Sequence, residues 1–206
     1  MPKVLIIDGG PSYYAMFDKM GWKFATKVED ADLVQFTGGA DVTPSYYGQV
    51  PHPTTSSDAG RDKREALIFN KARKLGKPMA GICRGGQFLH VLSGGTLFQH
   101  VHGHAMFGTH VAVTPDGHIF QVTSTHHQAM RDDCGEVLVV AETHAPQEFM
   151  DEDGTIALSS ALNSVESVYH ANTKAFCFQP HPEMDKGKEC CVFYFSKLAE
   201  LFGLGA

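Results

Sequence analysis

Apolar positions form short unbroken runs in the first half of the chain and alternating runs in the second. KVLII (Lys3–Ile7) is a β-branched run followed by DGGPS, the pattern of a buried parallel strand entering a loop. Leu33–Phe36 repeats it and ends at Gly38–Gly39. From Arg61 to Leu75, Leu67, Ile68, Ala72 and Leu75 recur at helical spacing among charges, and Gly76 and Pro78 stop that helix. PMAGI is a third buried strand, and RGGQFLHVLSGG a helix closed by Gly94–Gly95. This order predicts an α/β fold with a mainly parallel central sheet flanked by helices. In such sheets the chemistry sits at the carboxyl ends of the strands.

The second half reads differently. HVAVT, HIFQVTS, EVLVVAE, ESVYH and AFCFQ are short alternating runs split by turns, and ESVYHANTKAFCFQ predicts a hairpin connected by Ala171–Lys174. No linker, repeat or low-complexity stretch interrupts the chain, so a single domain over residues 1–206 is expected.

Composition narrows the classes. At 206 residues the chain can bury a core without staples. The net charge is −6 and no basic run occurs, which argues against nucleic acid as partner. The N-terminal apolar run, Val4–Ile7, is far too short for a signal core or a membrane span. Five cysteines without framework spacing fit a reducing compartment, so a cytoplasmic protein is expected.

One of those cysteines has a distinctive setting. GICRG (Gly81–Gly85) has the form of a nucleophile elbow with Cys83 in the serine position. A tight strand-to-helix turn presents such a side chain, and the helix N-terminus favours thiolate. A buried structural cysteine is the competing reading. A thiol nucleophile needs a base and a group to orient that base. In AFCFQPHPEM, His181 follows a strand between Pro180 and Pro182, with Glu183 two residues on. An extended backbone there would point both side chains the same way, so that Glu183 could hold one ring nitrogen while the other faces a thiol. An ordinary loop histidine is the alternative.

Other candidates are weaker. The alternate histidines of HVHGH (His100, His102, His104) could share a strand face and hold zinc. They lack cysteines at ligand spacing, and their glycine suggests a loop; no metal is expected. DGGPS lacks both the Walker and the Rossmann spacing, which argues against a nucleotide site. Adjacent Cys190 and Cys191 suit helix burial better than a bridge.

GICRGGQ together with FQPHPE resembles the class I glutamine amidotransferases, whose domain is flavodoxin-like. TGGADVTPSYYG, the stretch from Arg61 to Gln99 and STHHQAM resemble one branch, the γ-glutamyl hydrolases (γ-glutamyl-GABA hydrolase-like). The resemblance implies Cys83 as nucleophile, His181 as acid and base, and Glu183 as its orienter. It implies backbone N–H donors at Gly39 and Arg84 for an oxyanion, and substrate contacts from Gly38, Gln87, His127 and Gln128. The implied reaction cleaves a γ-glutamyl amide or glutamine through a γ-glutamyl thioester, without a cofactor. Two alternatives remain: a glutaminase subunit passing ammonia to a separate synthetase chain, and a non-catalytic binding module of the same fold. Oligomeric state is left open.

Overall fold

The computed structural model describes residues 1–102, 104, 108–142, 147–150, 153–159, 163–184 and 188–205. The first half supplies β1 (Lys3–Ile7), α1 (Pro11–Lys19), β2 (Lys23–Phe24), β3 (Leu33–Phe36), α2 (Ala59–Lys74), β4 (Met79–Ile82) and α3 (Arg84–Leu92). Short strands β5 (Leu97–Phe98) and β6 (His100–Val101) lead into β7 (Gly108–Val113), β8 (Ile119–Ser124), β9 (Ala129–Met130) and β10 (Glu136–Glu142). Then come β11 (Gln147–Met150), β12 (Ile156–Ser159), β13 (Asn163–His170), β14 (Ala175–Phe178) and α4 (Lys188–Phe202).

The main sheet runs β2-β1-β3-β4-β14-β13-β10-β7-β8. Every pair from β2 through β14 is parallel, and from β14 outward the pairs are antiparallel. This is the expected α/β class, a mainly parallel central sheet flanked by helices, and its antiparallel wing is built from the alternating runs. The β13–β14 hairpin turns at Ala171–Lys174 as expected, with His170 opposite Ala175. Because β14 lies beside β4, with Phe178 level with Ile82, the C-terminal third delivers its strand end next to the elbow.

Strand alternation sorts the core onto two faces. Val4, Ile6, Ala80, Ile82, Phe176 and Phe178 pack under α1 and α4 with Phe17, Trp22, Tyr194 and Leu198. Val34, Phe36, Met79, Ala175 and Cys177 face α2 and α3, where Phe69, Ala72, Phe88 and Leu89 close the layer.

Two helical readings change. The DGGPS stretch read as loop contains the start of α1, where Gly10 stands at the N-cap and Pro11 in the first turn. Of the apolar positions that marked α2, Ala72 is buried and Ile68 packs against the core, but Leu67 is 72% exposed and Leu75 46%. The buried residues are Asp62, Glu65, Phe69 and Ala72. Two acidic side chains point inward because arginines meet them there.

Candidate active site

β4 ends at Ile82 and α3 begins at Arg84, so Cys83 alone makes the turn, at φ 53° and ψ −119°. That region costs a non-glycine residue on the order of 1–3 kcal/mol and persists only where the surroundings enforce it. They do so here by close packing. A Cβ on Gly81 would stand 2.3 Å from the backbone carbon of Gly85, and one on Gly85 would stand 2.5 Å from that of Phe36. The Cys83 N–H donates to the Phe178 carbonyl at 2.8 Å, tying the elbow to the end of β14. Cys83 is partly exposed at the N-terminus of α3.

Three residues beyond Phe178, His181 places Nδ1 2.6 Å from Glu183 Oε1. The sequence argument expected an extended segment to align them. Instead the chain turns, with the Met184 N–H donating to the His181 carbonyl at 3.2 Å. The prolines fix this turn, and the imidazole–carboxylate pair results all the same. The His181 N–H donates to Thr123 Oγ1 at 2.7 Å, so β8 anchors the ring's backbone. Burial opposes the imidazolium, but hydrogen bonds to Cys83 and Glu183 outweigh it and push His181 up to about 10. With Nδ1 given to Glu183, Nε2 is the nitrogen left for the thiol. The structure therefore brings Cys83, His181 and Glu183 together.

The loop after β3 closes the site. A Cβ on Gly38 would lie 3.1 Å from His181 Cε1 and 3.2 Å from Tyr13 Oη. The Gly38 N–H donates to Tyr13 Oη at 3.0 Å, so that amide is taken. Gly39, at φ 148°, has no room for a Cβ, which would stand 2.2 Å from Arg61 Nη1. Arg61 donates from Nη1 to the Gly38 carbonyl at 2.9 Å and from Nη2 to the Thr37 carbonyl at 3.1 Å.

The charges beneath this loop form one buried network. Arg61 Nε donates to Glu65 Oε1 at 2.7 Å. The Arg84 guanidinium, itself buried, pairs with Glu65 Oε2 and with Asp62, and lies 4.5 Å over the Phe88 ring. Asp62 also accepts the Thr43 N–H at 2.9 Å. Glu65 thus links the side chain that holds the Gly38–Gly39 loop to the residue that opens α3. Both backbone donors expected for an oxyanion, at Gly39 and Arg84, hang from the same carboxylate.

The expected substrate contacts divide. Gln87 is buried, and its Nε2 donates to the Gln128 carbonyl at 3.0 Å and to Gln179 Oε1 at 2.9 Å. Its amide nitrogen braces the protein, which leaves Oε1 as the atom that could meet a ligand. His127 is half-buried with Nε2 3.0 Å from Asp41 Oδ1, which holds it above the ordinary histidine range. Gln128 is buried, and both polar atoms of its side chain lack a hydrogen-bond partner among the described residues. Sequence reasoning missed Tyr13, Arg61, Glu65 and Thr123. The Arg61–Glu65 pair, one helical turn apart, carried a usable signal. Thr123 carried none.

Among the described residues, histidines and carboxylates that could hold a metal fall into two groups. The HVHGH run splits between them: His100 and His102 join Glu148, and His104 joins His126 and Glu166. All five cysteines are free thiols, and among the described residues no helix is long and apolar enough to cross a membrane.

The chain is similar to several known proteins. The chain is 39% identical over 140 residues to "Putative glutamine amidotransferase Rv2859c" of Mycobacterium tuberculosis, covering 58% of this chain and 42% of that one. The matched stretches span 42%, 53% and 64% of three curated relatives, about half of their length. Among solved structures, a "putative gmp synthase subunit a protein" of Thermoplasma acidophilum superposes with TM-score 0.65 at 15% identity, covering 98% of this chain and 94% of that one. PurLQS of Thermotoga maritima follows with TM-score 0.62 at 14% identity, covering 94% and 97%. Both likenesses concern the fold. Residues 15–183 match the family model of Peptidase C26. A match over that much of the chain places the protein in the Peptidase C26 family, whose relatives here are glutamine amidotransferase-like.

Proposed function

We propose that this protein is a cysteine-dependent hydrolase of γ-glutamyl amide bonds, acting as one amidotransferase-like domain over residues 1–206. One observation carries the reading: Cys83 sits on a strained elbow beside an imidazole whose Nδ1 is 2.6 Å from Glu183. The Cys83 thiolate attacks the γ-carboxamide carbon, and the carbonyl π pair moves to oxygen. The Gly39 and Arg84 N–H groups receive that oxyanion. When the tetrahedral intermediate collapses, the C–N bond breaks, and the His181 imidazolium protonates the departing ammonia or amine. Neutral His181 then takes a proton from water, whose oxygen attacks the γ-glutamyl thioester. Collapse releases glutamate and the Cys83 sulfur, which returns to its resting pair with His181. Glu183 keeps the ring oriented and balances its charge. The substrate's glutamyl or amine end meets Gln128, whose buried amide atoms lack a partner among the described residues, and His127, whose ring Asp41 holds in place. Free thiols support a reducing, cytoplasmic setting.

A second reading is a glutaminase subunit that passes ammonia to a synthetase chain. It is favoured by the fold likeness to the protein described as a GMP synthase subunit and to PurLQS. Incubating the protein with glutamine and a panel of γ-glutamyl amides, beside Cys83→Ala, separates them. Glutamate release from γ-glutamyl amides by the protein alone supports the hydrolase. Release confined to glutamine supports the subunit. No release from either overturns both.

A further inference from the structure

Beside the candidate active site, the ends of the antiparallel wing bury polar side chains that the proposed hydrolysis does not use. His104, His126 and Glu166 each offer one ligand atom, and these atoms all lie within 4.8 Å of one another. The residues are 5%, 4% and 0% exposed. His110, on β7, places Nε2 3.1 Å from Glu166 Oε1, and His126 Nε2 lies 3.7 Å from the same oxygen. The His104 ring is 4.7 Å from that of His126 and 4.9 Å from that of His110.

Buried polar atoms are nearly always paired. Here His104 Nδ1, His110 Nδ1, His126 Nε2 and Glu166 Oε2 are buried with no hydrogen-bond partner among the described residues. The tautomer of His126 sharpens the point. Its Nδ1 lies 2.9 Å from the Gln128 carbonyl, which can only accept, so Nδ1 carries the proton and Nε2 presents a lone pair. That lone pair faces a carboxylate in a dry interior. Two acceptors face each other, and a cation between them resolves the conflict.

We propose that His104, His126 and Glu166 bind one divalent transition-metal ion of the zinc type. Two imidazoles and a carboxylate suit such an ion, with the fourth position left to water. Tetrahedral bonds of about 2.0–2.1 Å put donor atoms ~3.3 Å apart; His126 Nε2 and Glu166 Oε1 are 3.7 Å apart, and all three ligand atoms lie within 4.8 Å of one another. The His126 Nδ1–carbonyl bond is the outer contact that a ligating histidine makes with its free nitrogen.

The ion's place in the fold gives it a bracing role. Ser124 donates to the His104 carbonyl at 2.6 Å, and the Gln179 N–H donates to the Glu166 carbonyl at 2.8 Å. Neighbouring Thr123 holds the His181 backbone. The ion ties together the strand ends that carry His127, Gln128 and His181, and takes no part in the thioester chemistry.

The test uses the untagged Cys83→Ala protein, so that the active-site thiol cannot compete for metal. It is stripped with a chelator and titrated with Co2+, read by visible absorption, and with Zn2+, read by elemental analysis and Tm. The expected result is one ion per chain, the strong visible bands of four-coordinate cobalt, and a Tm that rises with zinc. Glu166→Gln and His126→Gln should weaken binding at least tenfold. His104→Gln should do the same and, lying in a loop, leaves the metal-free circular dichroism unchanged, which separates lost ligation from lost fold. Glu148→Gln and His102→Ala, in the neighbouring group, should bind as before. Failure to take up one ion overturns the proposal. So does binding that survives Glu166→Gln and His104→Gln, or that is lost with Glu148→Gln.

Discussion

Arg61 donates from Nη1 to the carbonyl oxygen of Gly38 at 2.9 Å, holding the Gly38–Gly39 loop that carries the proposed oxyanion donor. A planar fork does this by gripping Thr37 and Gly38 together. A lysine can hold one carbonyl but not the plane. Arg61→Lys should lower kcat for glutamate release by roughly 10- to 100-fold, the scale of a misplaced oxyanion donor. Iodoacetamide alkylation of Cys83 should keep nearly its original rate. An equal fall in both would assign Arg61 to thiol activation instead.

Glu65 is wholly buried and joins Arg61 to Arg84. Removing one member of a buried ion network costs about 3–5 kcal/mol, because the remaining charges lose their compensation. Glu65→Gln should therefore shift the urea midpoint sharply, with ΔΔG of about 3 kcal/mol at pH 7. A change under about 1 kcal/mol would mean that Asp62 alone satisfies Arg84.

Cys83 should be the first thiol alkylated. It is partly exposed beside the His181 imidazolium, whereas burial pushes Cys177 and Cys190 well up. Peptide mass mapping after a short iodoacetamide pulse should find label at Cys83, and Cys83→Ala should lose turnover while keeping its circular dichroism. Label appearing first at Cys134 or Cys191 would mean the elbow does not activate its thiol.

His181 titrates at about 10 because of its two partners, so removing either should bring it down. Nitrogen-15 spectra of the imidazole should show a lower titration midpoint in Glu183→Gln and in Cys83→Ala. The sign for stability follows. A histidine raised above its ordinary 6.5 stabilises the fold fully below that pH, and this contribution is lost as pH rises toward 10. Between those values the loss of stability should be smaller in Cys83→Ala than in the unmodified chain. A parallel pair of curves would remove His181 from the account.

The opposite sign belongs to His170. Its Nε2 lies 3.0 Å from His90 Nδ1 in the core, and desolvation together with the His90 charge holds it down at about 4. The unfolded chain binds this proton first, so stability is present above 6.5 and lost as pH falls toward 4. His170→Asn should be less stable at pH 7.5 yet lose less on going to pH 5, measured by urea midpoints at both. An unchanged acid response would place the acid sensitivity elsewhere.

Much of the site was legible in the order of residues because its signals are local. Lys3–Ile7, Leu33–Phe36 and the Gly81–Gly85 elbow announce themselves through neighbours a few positions away. So does His181, locked between prolines whose restriction is covalent, with Glu183 next after the second; the two side chains meet even though the segment turns rather than extends. Helix α1 was masked by glycine and proline, which mark a loop and a helix start alike, and Tyr13 went unread with it. Only the tertiary structure decided which face of α2 turns inward. Ala72 and Ile68 turn inward as their spacing implied, but Leu67 and Leu75 do not, and Asp62 and Glu65 are drawn in by Arg84, 22 and 19 residues further along the chain. It likewise gathered His104, His126 and Glu166 from three separate segments, and set Gln87 inward against Gln128 and Gln179. Backbone preference and hydrophobic period act over a few residues and can be read along a line. Charge compensation in a dry interior depends on which segments the sheet order brings side by side, and no spacing along the chain encodes that.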